Sequence, residues 1–244
     1  MSGKFTVKNF SVVVPVFNEE EIILHSAAQI YDLCKRQNLE FELIFVENGS
    51  LDQTLPLIKQ FILEKIECKI LEIDLANYGN ALKEGILSAT NEIVISFDID
   101  YFSEDFLNKA LELNQKFAAI TASKRLVKSH DGRRLIRRIA TLTFVKILKI
   151  LFDTKLSDTH GMKAVRRNSI KSQIENVVST QDLFDTELLI RIEKSGEEIL
   201  EIPAVVNEIR PSVSVIYKRI PRTIISLFKL RLQLSKESLN TKNL

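Results

Sequence analysis

The sequence has little cysteine, no tryptophan and no long apolar run. Its two cysteines, Cys34 and Cys68, match neither a metal-ligand spacing nor a disulfide framework, which favours a reducing compartment. It contains no apolar run of the roughly 18 to 20 residues that a membrane-spanning helix needs. Residues 1–10 also lack the apolar stretch of a signal peptide. These absences predict a cytoplasmic protein.

Glycine and proline are also sparse, at 7 and 5 residues among 244. No stretch is rich enough in them to form a linker, and we find no internal repeat or low-complexity segment. Hydrophobic residues make up 45% and charged residues 27%, a balance that excludes disordered, collagen-like and coiled-coil classes. We therefore expect a single globular domain over residues 1–244.

The formal net charge of +2 conceals an uneven distribution. Residues 1–120 contain 10 Lys and Arg against 19 Asp and Glu, a balance of −9, whereas residues 121–244 contain 24 against 13, a balance of +11. The basic half suits phosphates or a membrane surface, and the alternative is a solvated basic face. Nucleic acid is not an expected partner, because no binding motif is present and the basic runs are apolar-backed helices.

Strand and helix patterns alternate through the first half, which predicts βαβ units and a mostly parallel sheet. Strands are predicted over residues 10–16, 41–46, 68–73 and 93–97, and helices over 19–36, 53–65 and 80–88. Glu19, Glu20 and Glu21 would occupy the first turn of the first helix, where negative charge is favourable. In the second half, helices are predicted over 133–152, 183–194 and 221–236 and a strand over 199–206.

Asp98 and Asp100 follow the fourth predicted strand. Ligands of open α/β sheets bind beyond the carboxyl ends of the strands, and residues i and i+2 of an extended segment point to one side. Two carboxylates placed in this way suit Mg²⁺ or Mn²⁺, and the alternative is a pair of solvated acids. Dinucleotide binding is not expected, because no GxGxxG follows the first strand.

The order of motifs resembles that of the family 2 glycosyltransferases of GT-A fold. The matching stretches are FSVVVPVFNEEE (10–21), FVENGSLDQT (45–54), YGNALKEGI (78–86) and FDID (97–100). Beyond residue 120 the sequence is most similar to the polyprenyl-phosphate (dolichol-phosphate-mannose-type) branch. There the matches are SKR (123–125), Arg137 with Thr141, SDTHGMKA (157–164), FDTELL (184–189), EIP (201–203) and Arg210 with Ser214.

The resemblance implies a fold, a metal and a set of site residues. The fold is α/β: a Rossmann-like, mostly parallel sheet with helices on both faces and a helical, basic C-terminal elaboration. Residues 1–120 would bind the nucleotide sugar and 121–244 the acceptor. The residues implied to bind the donor are Pro15, Phe17, Asn18, Glu19, Glu47, Asn48, Gly79, Asn80, Asp98 and Asp100. Those implied to bind Mg²⁺ or Mn²⁺ are Asp98 and Asp100, and those implied to act in catalysis are Asp100, Arg125, Arg137 and Arg210, with Lys163 as a further candidate.

Four positions depart from the family pattern. Glu47 and Asn48 stand where many members have two Asp residues that face the base. Asp98 and Asp100 occupy the positions of the family's DxD motif. Two residues after it, Phe102 stands where many relatives have Gln, and Asn77 replaces a Gly that is common before the Tyr-Gly pair. These departures concern contacts to the base, the metal and the acceptor.

The implied reaction is metal-dependent, inverting transfer of a hexose from a GDP- or UDP-linked sugar to a polyprenyl phosphate. Because that acceptor is anionic at pH 7, no general base is required. The expected partners are the membrane surface, reached through the basic amphipathic helices, and a membrane-anchoring subunit. The alternative for these helices is packing on the sheet.

Two other functions remain open at this point. A hydroxyl acceptor would require a base, for which Asp185 or Glu187 is a candidate, although both also suit the first turn of a helix. The protein could also bind a nucleotide sugar without catalysis, an interpretation that Glu47, Asn48 and Phe102 motivate.

Overall fold

The computed structural model describes residues 9–74, 76–112, 116–132, 135–181, 183–206 and 216–242. The strands are β1 (Asn9–Val16), β2 (Glu40–Glu47), β3 (Cys68–Glu72), β4 (Ile93–Ser96), β5 (Phe117–Ser123), β6 (His130–Asp131), β7 (Lys163–Arg166), β8 (Glu198–Pro203) and β9 (Val205–Val206). The helices are α1 (Ile23–Lys35), α2 (Thr54–Ile62), α3 (Tyr78–Ser88), α4 (Glu104–Leu111), α5 (Leu135–Phe152), α6 (Arg167–Glu175), α7 (Phe184–Lys194) and α8 (Ile216–Lys242).

Seven strands form one sheet in the order β3-β2-β1-β4-β7-β5-β8. Strand β7 is antiparallel to both of its neighbours, and the other paired strands run parallel. The carboxyl ends of the parallel strands therefore lie at one edge, and β7 begins there. Lys163, its first residue, is in register with Ser96 of β4 and Thr121 of β5.

Helices cover both faces of this sheet because its central strands are apolar on both sides. Alternate residues of β1 enter different cores: Val12 and Val14 pack with α1, α2 and α4, whereas Val13 packs with α3, α6 and α7. This is the pattern of a buried parallel strand. The predicted fold class, a mostly parallel α/β sheet with helices on both faces, is confirmed.

Helices α5 and α8 form an additional layer. Leu148 and Phe152 of α5 and Leu227 and Leu230 of α8 share a small core with Ile190 of α7. Other apolar residues of both helices are exposed. Among the described residues, no helix has the combination of length and apolar character needed to cross a bilayer.

Several predicted elements differ from those observed. Helix α1 begins at Ile23, so Glu19, Glu20 and Glu21 precede it rather than form its first turn, and that prediction was wrong. The predicted strand over 199–206 is split into β8 and β9 at Ala204, and the last helix is longer than predicted. Elements β5, β6, β7, α4 and α6 were not predicted.

Candidate active site

The loops after β1 and β2 are joined by hydrogen bonds at the carboxyl edge. Asn18 has a positive φ of 53°, a conformation that Asn adopts more readily than most residues. Its N–H donates to Ser50 Oγ (3.0 Å), and its Oδ1 accepts from the N–H of Leu51 (2.8 Å). The Glu19 N–H donates to Thr54 Oγ1 (2.7 Å). Beside these loops, Phe17 exposes 41% of its surface, and Pro15 is buried within β1.

Glu47 and Asn48 are buried and shape the second loop. The Glu47 carboxylate accepts from the N–H groups of Gly49 (3.2 Å) and Ser50 (2.6 Å), and Asn48 Oδ1 accepts from the N–H of Asn77 (2.8 Å). Gly49 has a φ of 73°, and a Cβ there would lie 3.0 Å from the Asp74 carbonyl oxygen. These side chains therefore connect β2 to the start of α3.

The first turn of α3 brings a phenol to the DxD segment. Asn77 caps this helix through its Oδ1, which accepts from the N–H of Asn80 (3.1 Å). Gly79 is closely packed, since a Cβ there would lie 2.6 Å from both the Thr180 carbonyl oxygen and Phe184 Cβ. The hydroxyl of Tyr78 donates to Asp98 Oδ1 (2.7 Å).

Asp98 and Asp100 lie on a tight turn. The Asp98 N–H donates to the Tyr101 carbonyl (3.2 Å), and the Tyr101 N–H donates to that of Asp98 (3.0 Å). The expectation of an extended segment was therefore wrong, because β4 ends at Ser96 and the chain reverses here. Ile99 is buried at the tip of the turn, whereas Asp98 is half-buried and Asp100 is exposed.

Burial raises the pKa of Asp98 through desolvation, and the negative charges of Asp185 and Asp100 raise it further. The hydrogen bond from Tyr78 and the positive charge of Lys163 act in the opposite direction. The pKa of Tyr78 is raised well above its ordinary value, first by desolvation and then by the charge of Asp98. These interactions involve five ionisable side chains, which come from α3, the turn after β4, β7 and α7.

Lys163 and Asp185 form a buried ion pair beside the turn. Their Nζ and Oδ2 atoms are 2.9 Å apart, and the exposed fractions of the two side chains are 4% and 7%. Lys163 also donates to the carbonyl oxygen of Gly161. Asp185 therefore neutralises the lysine charge at close range.

A second buried pair supports the loop before β7. Lys124 Nζ lies 3.0 Å from Asp158 Oδ2 and donates to the His160 carbonyl oxygen. The ring of His160 packs edge-on against Phe144 of α5, with centroids 5.3 Å apart. Burial lowers the pKa of His160 by desolvation, Lys124 and Lys163 lower it further, and Asp158 and Asp185 oppose the change.

The carboxylate of Glu187 already has hydrogen-bond partners within the fold. It is fully buried and accepts from the N–H groups of Val178 (3.2 Å) and Ser179 (2.8 Å) and from Arg191 Nε (2.7 Å). Asp185 is paired with Lys163. The arrangement at the start of α7 is therefore that of structural acids, and it does not favour Glu187 as a general base.

The basic residues implied by the resemblance are placed unevenly. Arg125 is exposed just beyond β5, and its N–H donates to Ser123 Oγ (3.1 Å). Arg137 belongs to α5, but its side chain lies outside the described part of the structure, as does the whole of Arg210. The structure thus brings the acidic residues together and describes one of the three arginines.

The sequence interpretation missed Tyr78 and the pairing of Lys163 with Asp185. Tyr78 stands next to Gly79 and Asn80 at a strand-end position, which was a usable signal. In the described residues, no group of three or more His, Cys, Asp and Glu side chains is arranged to hold a metal. Asp98 and Asp100 nevertheless provide two hard oxygen donors, and a diphosphate and water could complete the coordination of Mg²⁺ or Mn²⁺.

Known proteins resemble this chain in sequence and in fold. The dolichyl-phosphate hexose transferase of Haloferax volcanii is 26% identical over 202 residues, which cover 82% of this chain and 83% of the relative. The undecaprenyl-phosphate 4-deoxy-4-formamido-L-arabinose transferase of Pectobacterium atrosepticum is 31% identical over 172 residues. That match covers 69% of this chain but only 52% of the relative, so the chain spans about half of its length.

A crystal structure of glucosyl-3-phosphoglycerate synthase from Mycobacterium tuberculosis, in complex with Mn²⁺, UDP and glucosyl-3-phosphoglycerate, superposes with a TM-score of 0.69. The match has 18% sequence identity and covers 92% of this chain and 80% of that chain, so it supports a shared fold.

The family model described as "Glycosyl transferase family 2" matches residues 11–173. This range runs from β1 into α6 and includes the loops around Asn18 and Asn48, the DxD turn and the Lys163 position. The predicted class of enzyme, a glycosyltransferase, is confirmed, since the chain belongs to glycosyl transferase family 2.

Proposed function

We propose that the protein transfers a hexose from a GDP- or UDP-linked sugar to a polyprenyl phosphate, with inversion and in a metal-dependent reaction. The observation that carries this proposal is the turn holding Asp98 and Asp100 beside Tyr78 at the carboxyl edge of β4. The names of the Haloferax and Pectobacterium relatives, both transferases linked to polyprenyl phosphates, support the acceptor class.

The donor would lie across the loops after β1, β2 and β4. Phe17 offers an exposed aromatic surface to the base, and Asn18 and Glu19 lie on the same loop. Glu47 and Asn48 act indirectly, because their oxygens already accept backbone hydrogen bonds that shape the adjoining loop. Asn80, in the first turn of α3, would provide the next surface towards the diphosphate, whereas Gly79 is buried against Thr180 and Phe184 and acts by letting α3 pack closely there.

Asp98 and Asp100 would hold Mg²⁺ or Mn²⁺. When bound, the ion supplies positive charge to the diphosphate that leaves. The chain's own contribution is to hold these carboxylates in place: Tyr78 donates to Asp98, and the turn is closed by the hydrogen bonds to Tyr101.

The reaction would exchange one bond for another at the anomeric carbon. A phosphate oxygen of the acceptor forms the new bond, the bond to the diphosphate oxygen breaks, and the nucleoside diphosphate departs with the electron pair. Since the attacking oxygen is already anionic, no proton must be removed. Two phosphate-bearing substrates must approach each other, and we propose that Arg125, exposed just beyond β5, reduces their repulsion. Arg137 and Arg210 are proposed to act with it.

We also propose that the protein works on the cytoplasmic face of a membrane, as a peripheral protein. Ile136 and Ile139 of α5 expose 68% and 52% of their surface, and Ile225 and Phe228 of α8 expose 56% and 54%. Exposed basic residues lie on the same helices, which suits an anionic bilayer surface. Co-sedimentation with anionic vesicles, compared with neutral ones, tests this, and Ile136→Asp with Phe228→Asp should reduce it.

The direct test of the reaction uses the pure protein. It is incubated with radiolabelled GDP- and UDP-sugars and short polyprenyl phosphates, with and without Mn²⁺. We expect label in the organic phase only when a donor, an acceptor and Mn²⁺ are all present. Label released as free sugar in every mixture, or its transfer to a hydroxyl acceptor instead, would contradict the proposed acceptor.

A further inference from the structure

One short segment, residues 175–181, contacts the helix that carries Tyr78. Lys83 of α3 donates to the carbonyl oxygens of Glu175 (3.1 Å) and Val177 (2.9 Å). Thr180 packs so closely on Gly79 that a Cβ on the glycine would lie 2.6 Å from its carbonyl oxygen. The position of this segment therefore determines where the first turn of α3 can lie.

The same segment is fixed from the other side by Glu187. Its carboxylate accepts the N–H groups of Val178 and Ser179 and is paired with Arg191 on the next turn of α7. A fully buried carboxylate requires such partners, because an unpaired charge in the interior is strongly unfavourable. Arg191 thus supplies the charged partner that the buried Glu187 carboxylate needs while it holds the segment.

Arg191 is in turn held by α8. Its Nη1 and Nη2 atoms donate to the two carboxylate oxygens of Glu237, at 2.8 Å and 3.1 Å. Gln233, one turn earlier on α8, donates to the same carboxylate (3.0 Å). This two-pronged geometry fixes the plane of the guanidinium and favours Arg over Lys at this position.

We propose that Arg191 and Glu237 are positioning residues for the DxD site. Through Glu187 they connect α8 to segment 175–181, and that segment holds the first turn of α3, from which Tyr78 reaches Asp98. Helix α8 thereby stabilises the donor site through Arg191, Glu187 and segment 175–181. This inference rests on the proposed function for its catalytic meaning, while the physical connection can be measured separately.

Glu237→Gln tests the connection with little risk to folding, because the Glu237 side chain is 43% exposed and the buried Arg191–Glu187 pair remains. Glu84→Gln is the matched control, the same change at an exposed glutamate of α3. Hydrogen exchange is measured at the amides of Val178, Ser179 and Asn80, and the affinity for UDP or GDP with Mn²⁺ is measured by calorimetry.

We expect Glu237→Gln to speed exchange at all three amides and to weaken nucleotide binding about 3- to 10-fold, with Glu84→Gln unchanged. Arg191→Lys should have the larger effect on exchange and affinity, since lysine cannot donate two parallel hydrogen bonds to Glu237. Faster exchange confined to α8, with unchanged exchange at Asn80 and unchanged affinity, would overturn the inference. If the wild type binds no nucleotide, the proposed function fails, and exchange at Asn80 alone decides the inference.

Discussion

Two pairs of acids, each separated by one residue, lie next to each other in this protein and have opposite surroundings. At the start of α7, Asp185 is paired with Lys163, and Glu187 accepts hydrogen bonds from Arg191 and from two backbone amides. On the turn after β4, Asp98 is half-buried with a phenol as a partner, and Asp100 is exposed. The first pair is satisfied by the chain itself, whereas the second is open to a ligand.

The difference follows from the cost of burying charge. A carboxylate removed from water is tolerated when cations and N–H donors replace the water, and the α7 pair has both. The turn pair stays near solvent, where it can exchange water for a metal ion and phosphate oxygens. Structural and ligand-binding acids at a candidate site should therefore be distinguished by whether their carboxylate oxygens already have partners within the fold. Sequence spacing alone does not distinguish them.

The largest expected effect is on activity, at the turn. Asp98→Asn keeps the side chain's shape but removes a hard anionic ligand, so transfer should fall by at least about 100-fold. The free energy of unfolding should change by no more than about 0.5 kcal/mol. Steady-state transfer assays and urea unfolding check both, with Asp32→Asn, an exposed acid of α1, as the control. Unchanged turnover in Asp98→Asn would remove the proposed metal role.

At the start of α7, in contrast, the main expected effect of a substitution is a loss of stability. Glu187→Ala leaves the Arg191 charge and two N–H groups without this partner, so the protein should lose about 3 to 5 kcal/mol of stability. Urea unfolding measures the loss, and Glu175→Gln, an exposed acid of α6, should lie within about 0.5 kcal/mol of the wild type. Were Glu187→Gln to keep full stability and full nucleotide affinity and yet lose turnover, Glu187 would be the base of a hydroxyl acceptor after all.

Gly79→Ala tests the contact between the two regions. The added Cβ would meet Thr180 and Phe184 at 2.6 Å, so the first turn of α3 must move away from α7. Overpacking of this kind costs about 1 to 3 kcal/mol, and nucleotide affinity should fall with it because Tyr78 moves. Thermal unfolding and nucleotide titration check the two effects. Glu84→Ala on the exposed side of α3 should leave both unchanged, and a Gly79→Ala protein with normal affinity would show that this contact is not needed.

Much of the first half could be predicted from the sequence, because buried parallel strands are continuous apolar runs. Strands β1, β2 and β4 have this pattern and were predicted to within two residues. Strands β5 and β7 were not predicted. The sequence of β5, FAAITAS, is rich in small residues, and that of β7, KAVR, has only four residues with a charge at each end. The position of β7 between β4 and β5 depends on pairing between segments far apart in the chain, which no local pattern reports.

The same reason limits what could be predicted of the site. Asp98 and Asp100 follow a strand, and the rule that ligands bind beyond strand ends is what made them candidates. Lys163 and Asp185 are in contact because β7 is antiparallel to β4 and therefore begins at the carboxyl edge of the sheet. Their pairing thus depends on the tertiary fold. The pairing of Glu187 could in part have been predicted from the sequence, because Arg191 lies four residues later on the same helix, at a spacing that permits an ion pair.

The smallest expected effect is a pH dependence of stability from His160, at the edge of this region. Its pKa in the folded protein lies below the ordinary 6.5, first because of desolvation and then because of Lys124 and Lys163. The unfolded chain therefore binds the proton more readily, so the stability contributed by neutral His160 is complete above about pH 6.5 and is lost as pH falls through the folded pKa. Urea midpoints at pH 7.5 and 5.5 should differ less in His160→Gln than in the wild type, whereas His25→Gln, an exposed histidine of α1, should keep the wild-type difference. Equal differences in all three proteins would mean that His160 titrates alike in the folded and unfolded states, and that its burial beside Phe144 does not disfavour protonation.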